Sequence, residues 1–288
     1  MTNDSASIQK SSFNSDYESL DLRQVLQTAD QIAQRAGAIL VQMRSSFELR
    51  EKSEKDLVTD ADLAAQIAIA TAIASAFPEH GFIGEEGSAG VSERQRQNNE
   101  TSPWKWVVDP LDGTTNYAHG LSQFAVSMAL TYASAPVVGV VYDPVAEESY
   151  TAISGQGAWL NNKPLKSSGC QKLSHALVAA SFPPKLTRES MEIQQFIDML
   201  LECRSLRRLG SAALNLCYVA AGRLDGYWGG RLNAWDIAAG VLIVREAGGC
   251  ITNQAGEAID VWRGDLISAA SEPLHQQILG VVGRSNKQ

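Results

Sequence analysis

Apolar residues set the first boundary in this chain. From Asp21 onward, Leu22, Val25, Leu26, Ala29, Ile32, Ala33, Ala36, Ile39, Leu40 and Met43 recur at three-and-four spacing, which predicts an amphipathic helix ending near Phe47. Leu63, Ile67, Ala70, Ala74 and Phe77 repeat the spacing and predict a second helix, closed by Pro78. Between the two lies 52–62, read as a charged turn. After Gly81 the period changes. Short apolar runs at 106–108, 124–132, 136–142, 149–153 and 157–160, separated by turn residues, predict strands of a largely antiparallel sheet. Beyond Lys172 strands and helices alternate: strands near 176–181, Leu224 and Leu266, and helices near 189–203, 211–221 and 236–247.

This change of pattern predicts a mixed α+β protein with two lobes. The stretch 161–170, with Pro164 and Gly169, is the candidate boundary, giving an N-terminal α+β lobe over 21–168 and a C-terminal α/β lobe over 169–288. Residues 1–20 are rich in Ser, Asn and Asp without periodicity and are expected to form a disordered tail outside the fold. No internal repeat is present.

Composition narrows the class. With 288 residues, 44% hydrophobic and 19% charged, the chain can bury a sizeable core and is not disordered in bulk. Lys plus Arg number 24 against 32 acidic residues, a net charge of −8, so direct nucleic-acid binding is not expected, and binding a phosphate would need a metal or a local device. No apolar run is long enough to cross a bilayer, and the N-terminus lacks a basic start followed by a hydrophobic stretch; a cytoplasmic protein is expected. Cys170, Cys203, Cys217 and Cys250 show no Cys-x-x-Cys pair and are expected as buried free thiols. His80, His119, His175 and His275 form no zinc or triad pattern and are expected at the surface or at caps.

The chemistry lies in acidic residues at element edges. In Trp-Val-Val-Asp-Pro-Leu-Asp-Gly-Thr-Thr-Asn over 106–116, an apolar strand delivers Asp109 and Asp112 onto a turn, and Gly113 frees the backbone before a helix start at Thr114. Two carboxylates three apart suit a hard cation such as magnesium, and the N–H groups after Gly113 suit an anion; an Asp-Gly turn with a helix cap explains the same residues. Asp-Leu-Val-Thr-Asp-Ala-Asp over 56–62 offers Asp62, or simply capping by Thr59 or Asp60. Gly-Glu-Glu-Gly over 84–87 places Glu85 in a glycine-flanked turn, and Asp236 opens an apolar helix as a natural N-cap.

Taken in order, 56–62, 84–86, 106–116 and Trp-Asp-Ile-Ala-Ala-Gly over 235–240 resemble the signature segments of the inositol monophosphatase family, and the likeness runs from about Leu22 to Gly283. Gly-Val-Val-Tyr-Asp-Pro over 139–144, Gly-Gln-Gly-Ala-Trp over 155–159, Gly-Ser-Ala-Ala-Leu-Asn over 210–215 and Glu-Ala-Gly-Gly over 246–249 resemble its connecting segments. The resemblance implies a layered αβαβα sandwich of the sugar-phosphatase type, a homodimer, and a metal site between the lobes holding two to three magnesium ions. It implies metal ligation by Glu85, Asp109, the Leu111 carbonyl, Asp112 and Asp236, with Asp109 shared. Catalytic roles fall to Glu85, Thr114 and Asp62, which orient and deprotonate a water that attacks phosphorus in line. Substrate contacts fall to Asp112, Gly113, Thr114, Gly210, Ser211 and Ala212, and lithium sensitivity is implied.

The implied activity is hydrolysis of inositol 1-phosphate. Gly229 stands where the animal enzymes carry an inositol-binding glutamate, so fructose 1,6-bisphosphate, histidinol phosphate and galactose 1-phosphate remain alternatives. Arg231 can serve a second phosphate, or simply be an exposed arginine. A reading of another class, non-catalytic binding to transcription or RNA-processing machinery, also follows from bacterial members of the family.

Overall fold

Leu22, Val25, Ala29, Ile32, Ala33, Ala36 and Leu40 form the buried stripe of the first helix, α1 (Leu22–Met43), whose N-terminus is capped by the Asp21 carboxylate accepting from Arg23 and Gln24 N–H. The computed structural model describes residues 20–53, 56–183 and 185–284; the expected tail over 1–20 lies almost entirely outside them. The helix stops four residues short of Phe47, where Ser46 N–H closes a turn onto the Met43 carbonyl.

The segment expected as a charged turn is instead a hairpin. β1 (Leu49–Ser53) pairs antiparallel with β2 (Asp56–Thr59), and α2 (Asp60–Ala76) follows directly. Thr59 is its N-cap, in a reciprocal capping box with Asp62. The helix exists as expected, but its buried face differs. Ala61, Asp62, Ala65, Gln66, Ile69, Ala70 and Ile73 are buried, whereas Ile67 is 47% exposed. A helix apolar around most of its circumference has no phase to read, so two polar side chains mark the inner face better than the aliphatic ones do.

A seven-stranded sheet has the order β3 (Gly81–Gly84), β4 (Trp104–Asp112), β5 (Ala125–Tyr132), β6 (Ala135–Asp143), β7 (Glu148–Ile153), β8 (Gly157–Leu160), β9 (Lys163–Pro164). Only β3 and β4 run parallel; between them lies α3 (Glu93–Thr101), which the sequence pattern did not reveal because it is polar almost throughout. Ala133 and Ser134, both at positive φ, form the two-residue β5–β6 turn, whose twist suits a hairpin. After the short α4 (Thr114–Ala118), which precedes β5, the rest of the sheet is a meander.

The five-stranded sheet has the order β11 (Ser205–Arg207), β10 (Leu177–Ser181), β12 (Gly226–Gly229), β14 (Leu266–Ala269), β13 (Cys250–Thr252). The strand expected near Leu224 is β12, which begins two residues later, beyond the turn that Leu224 N–H makes to the Tyr218 carbonyl. The helices are α5 (Met191–Glu202), α6 (Ala212–Ala220), α7 (Ala234–Glu246) and α8 (Glu272–Val282), the last missed by the sequence reading.

These elements stack in five layers. α1 and α2 cover the outer face of the large sheet, α6 and α7 fill the space between the sheets, and α5 and α8 cover the far face of the small one. Three apolar cores separate the layers, the central one running through Leu214, Leu216, Ile237, Val241 and Ile243. This is the αβαβα sandwich.

Two expectations about single residues change. His80 and His275 are buried, not superficial; His80 lies between the rings of Phe77 and Trp104, and burial lowers its pKa to about 4. The described cysteines are free thiols, but only Cys217 is fully buried. Among the described residues no helix is long and apolar enough to cross a membrane.

Candidate active site

The end of β4 carries the central acids. Against β5, Asp109 pairs with Ser127 and Asp112 with Ala125, so one extra residue bulges out of β4 between them. Pro110 and Leu111 occupy this bulge, where proline's missing N–H breaks no ladder bond. Asp109 folds back to accept Leu111 N–H at 2.9 Å, and Asp112 points toward the second half of the chain. Gly113 follows at φ +96; a Cβ there would lie 2.8 Å from the Gln123 carbonyl oxygen, so only glycine fits. Thr114 then opens α4 as expected.

Three other elements bring groups to this strand end. Glu85 follows β3 and extends the ladder, its N–H donating to the Val108 carbonyl at 3.1 Å. Asp62 projects from the first turn of α2, where Oδ2 accepts the Thr59 N–H at 2.8 Å and the Thr59 hydroxyl at 2.5 Å, and Oδ1 accepts the Thr114 hydroxyl at 3.3 Å. The same Thr114 hydroxyl lies 3.1 Å from the Leu111 carbonyl oxygen. Asp236 sits in the first turn of α7, and its Oδ2 accepts Asn233 N–H at 2.7 Å. The N-cap is therefore Asn233, not Asp236 as the sequence suggested; a carboxylate at the third helical position reaches back while keeping an oxygen toward the cleft. Ser127 Oγ donates to the Trp235 carbonyl at 3.1 Å and pins this helix start to β5.

Asp112, like Asp62, accepts three hydrogen bonds. It accepts the Ser211 hydroxyl, Ala213 N–H at 2.8 Å and Ala212 N–H at 3.2 Å, all at the N-terminus of α6. Gly210 and Ala212 line the cleft, whereas Ser211 is buried and reaches the site through Asp112. Asn116 amide N–H donates to the carbonyls of Gln123 and Leu209, tying α4 to the loop before Gly210.

Gln66 is the positioning residue that sequence reasoning missed. Fully buried on α2, it accepts Glu86 N–H at 2.8 Å and donates to the carbonyls of Gly87 and Ala89, clamping the turn that carries Glu85. A Cβ on Gly84 would approach the Gln66 amide oxygen to 2.3 Å, so the first glycine of that turn is required by contact. The available signal was Gln66 itself, one helical turn after Asp62 and on the same face.

Burial and mutual repulsion set the electrostatics. Burial raises Asp62 to about 7, the hydrogen bonds from Thr59 opposing it. Burial raises Asp236 to about 8, with Asp112 adding to the rise. Asp112 rises only to about 6, because Ser211 and the α6 amides stabilise its charge. Asp109 stands well above the carboxylate range through burial and then the neighbouring charges of Glu85, Asp112 and Asp236. Repelling carboxylates that would otherwise hold protons are a donor set for a divalent cation, and all-oxygen donors fit magnesium. Among the described residues no three acidic, histidine or cysteine side chains already enclose a common point. Asp109, Asp112 and Asp236 each accept from a backbone N–H, which orients these carboxylates.

Glu85, Asp112, Gly113, Thr114 and Asp236 line one cleft of about 440 Å³, together with Phe182, Arg208, Gly210, Ala212 and Arg231; Asp62, Asp109 and Leu111 lie behind its wall. The pattern of the inositol monophosphatase family matches residues 21–287, which include every one of these groups. The chain belongs to that family. It is 40% identical over 250 residues to the Nus factor SuhB of Pasteurella multocida, covering 85% of this chain and 91% of the relative. It is 39% identical to inositol monophosphatase 1 of Solanum lycopersicum, covering 83% and 88%. The solved structure of the extragenic suppressor protein suhB from Bartonella henselae superposes with a TM-score of 0.81 at 34% identity, covering 90% of this chain and 98% of that one. Membership brings together the sandwich and the acidic cleft; the relatives' names divide between inositol monophosphatase and Nus factor.

Proposed function

We propose that this chain is a magnesium-dependent phosphomonoesterase that hydrolyses inositol 1-phosphate or a similar small sugar phosphate by direct attack of water. The observation that carries this reading is the convergence of Glu85, Asp109, Asp112 and Asp236 beside the Asp62–Thr114 hydrogen bond at one strand end. Glu85, Asp109, the Leu111 carbonyl, Asp112 and Asp236 would hold two to three magnesium ions, which when bound supply positive charge against the phosphoryl oxygens and make water more acidic.

The protein's own groups then divide the work. Glu85 and the Thr114 hydroxyl orient the attacking water in the cleft. Thr114 passes its proton to Asp62 Oδ1 as it accepts one from the water, and Asp62, raised to about 7, takes up that proton near neutral pH. Gln66 holds the Glu85 turn in place. Backbone N–H groups of Gly113 and Thr114 at the start of α4 receive phosphoryl oxygens. Gly210 and Ala212 meet the substrate's hydroxyl side, and Ser211 acts from behind by fixing Asp112.

The experiment is phosphate release, with and without magnesium and lithium, across inositol 1-phosphate, fructose 1,6-bisphosphate, histidinol phosphate and galactose 1-phosphate. A magnesium requirement with lithium inhibition supports the reading; no turnover of any compound overturns it. The names of the SuhB relatives favour a second reading, binding to transcription machinery. The two separate in an Asp236→Asn chain, which should lose hydrolysis and keep any binding role.

A further inference from the structure

Among the described residues, the lining of the cleft holds two cations, Arg208 and Arg231. Asp109, Asp112 and Asp236 act on one another and on Glu85 at the end of β4, whereas the two arginines come from the connections after β11 and β12. Each is built into place. The Arg208 guanidinium carbon lies 5.5 Å from the centre of the Phe182 ring, and Phe182 packs edge-on against Phe196 and Trp228. An aromatic platform aims a guanidinium without neutralising it. No carboxylate among the described residues pairs with Arg208.

Arg231 is held differently. It follows Gly230 and has φ +57, a left-handed conformation that residues with a side chain rarely adopt. Its Nε lies 3.6 Å from Glu192 Oε1 on α5, with the arginine side chain 73% exposed and the glutamate 15%. Glu192 and Asp265 line a second cavity, of about 170 Å³, that shares Gly230 and Arg231 with the cleft. Arg231 therefore stands between an acidic recess and the cleft, lining both. Strain of this kind persists where the surroundings require the residue at that spot.

We propose that the substrate carries a second anionic group, a phosphate or a carboxylate, apart from the scissile phosphate, and that Arg208 and Arg231 receive it, with Arg231 leaving Glu192 as the substrate binds. This rests on the phosphomonoesterase reading and names its substrate class. Guanidinium forks suit both anions, so the chemistry is shared and the test separates them.

The test compares matched pairs that differ in the second charge: glucose 1-phosphate against glucose 1,6-bisphosphate, and glycerol 2-phosphate against glycerate 2-phosphate. In the wild type, kcat/KM should favour the doubly charged member of at least one pair by about tenfold or more, mainly through KM. Arg208→Ala and Arg231→Ala should each bring that ratio toward one. Arg231→Lys should keep part of it, and Glu192→Gln should lower KM for the favoured compound. The pair that shows the preference identifies the anion. A ratio near one in both pairs, or a ratio unmoved in both arginine variants, overturns the proposal. If no compound is hydrolysed, the phosphatase reading has failed, and calorimetry with the same four compounds and magnesium decides this one. Tighter binding of a doubly charged compound that both arginine variants abolish supports it, and equal binding overturns it.

Discussion

The two walls of the cleft are built in opposite ways. One wall is the end of the seven-stranded sheet with the first turns of α2 and α7; its acids are buried, Asp109 being 2% and Asp112 7% exposed, and every carboxylate rests on a strand end, a bulge or a helix start. The facing wall consists of connections after β10, β11 and β12; its arginines are exposed, and Arg231 stands in left-handed backbone. Both walls store strain. In the first it is electrostatic, because like charges are held together in a poorly solvated place; in the second it is conformational. Chemistry that requires fixed distances sits on the rigid wall, and the recognition groups sit where loops can vary.

The largest test of this contrast is Asp109→Asn. Removing the central acid should lower phosphate release by at least about 10³-fold, the range for loss of a principal electrostatic group. The fold should survive, and the metal-free variant should melt at or above the wild-type temperature, because a repelling charge has gone. Thermal melts beside the activity assay check both. A variant that is inactive because it is unfolded would falsify the picture of a wall strained by its own charges.

Acidity tests the same wall next. The folded pKa values of Asp62, Asp112 and Asp236, about 7, 6 and 8, lie above the ordinary aspartate value of 3.8. The folded state therefore binds their protons more tightly, and that contribution to stability is complete below about pH 4 and lost as pH rises through 6 to 8. His80 works in the opposite sense: its folded value of about 4 lies below 6.5, so its contribution is present above pH 6.5 and lost on acidification toward 4. In chelator, the melting temperature of His80→Phe should hold up better than the wild type's as pH falls below 6.5. Added magnesium should raise the melting temperature more at pH 8 than at pH 5, where protons compete for the same oxygens. An equal magnesium shift at both pH values would place the ion elsewhere.

A smaller effect is expected at Gln66, which supports the rigid wall without touching the cleft. Gln66→Leu removes the acceptor for Glu86 N–H and the donor to two carbonyls. It should lower kcat by about 10- to 100-fold, as is usual for groups that orient ligands, and leave KM nearly unchanged. Gln66→Glu, which keeps the acceptor, should recover part of the loss. A change confined to stability would make Gln66 a packing residue only.

The same contrast explains what the sequence disclosed. The acids of the rigid wall were legible because strand ends, an Asp-Gly turn and helix starts dictate residue types in a local pattern. Asp109, Asp112, Asp62, Glu85 and Asp236 could be picked out from that pattern, although their roles came from the family resemblance. The layered sandwich was legible for the same reason, since the resemblance covered the chain. What escaped depends on distant packing. The inner face of α2 could not be phased from a helix apolar on most sides, and Gln66 was hidden with it. The β1–β2 hairpin is too polar to announce itself, and α3 has almost no apolar residues. Ser211 was expected as a substrate contact because its segment resembles the family's substrate loop; the bond from its hydroxyl to Asp112, a contact across 99 residues, could not be read from the sequence.

The smallest expected effect sharpens the comparison from the open wall. Arg231 holds φ +57 although its side chain is largely exposed, so neither burial nor a backbone clash explains why an arginine stands there. Glycine adopts that conformation at no steric cost, but it also loosens the unfolded chain, and the two effects partly cancel. Arg231→Gly should therefore stabilise the protein slightly, by about 0.5–1 kcal/mol, in denaturant titrations with an unchanged slope. Asp109→Asn and Arg231→Gly would then agree in sign on stability and differ in how function is lost, the first through kcat and the second through KM. Destabilisation by Arg231→Gly would show that the contact with Glu192 outweighs the backbone strain, and Glu192→Gln in the same background would measure by how much.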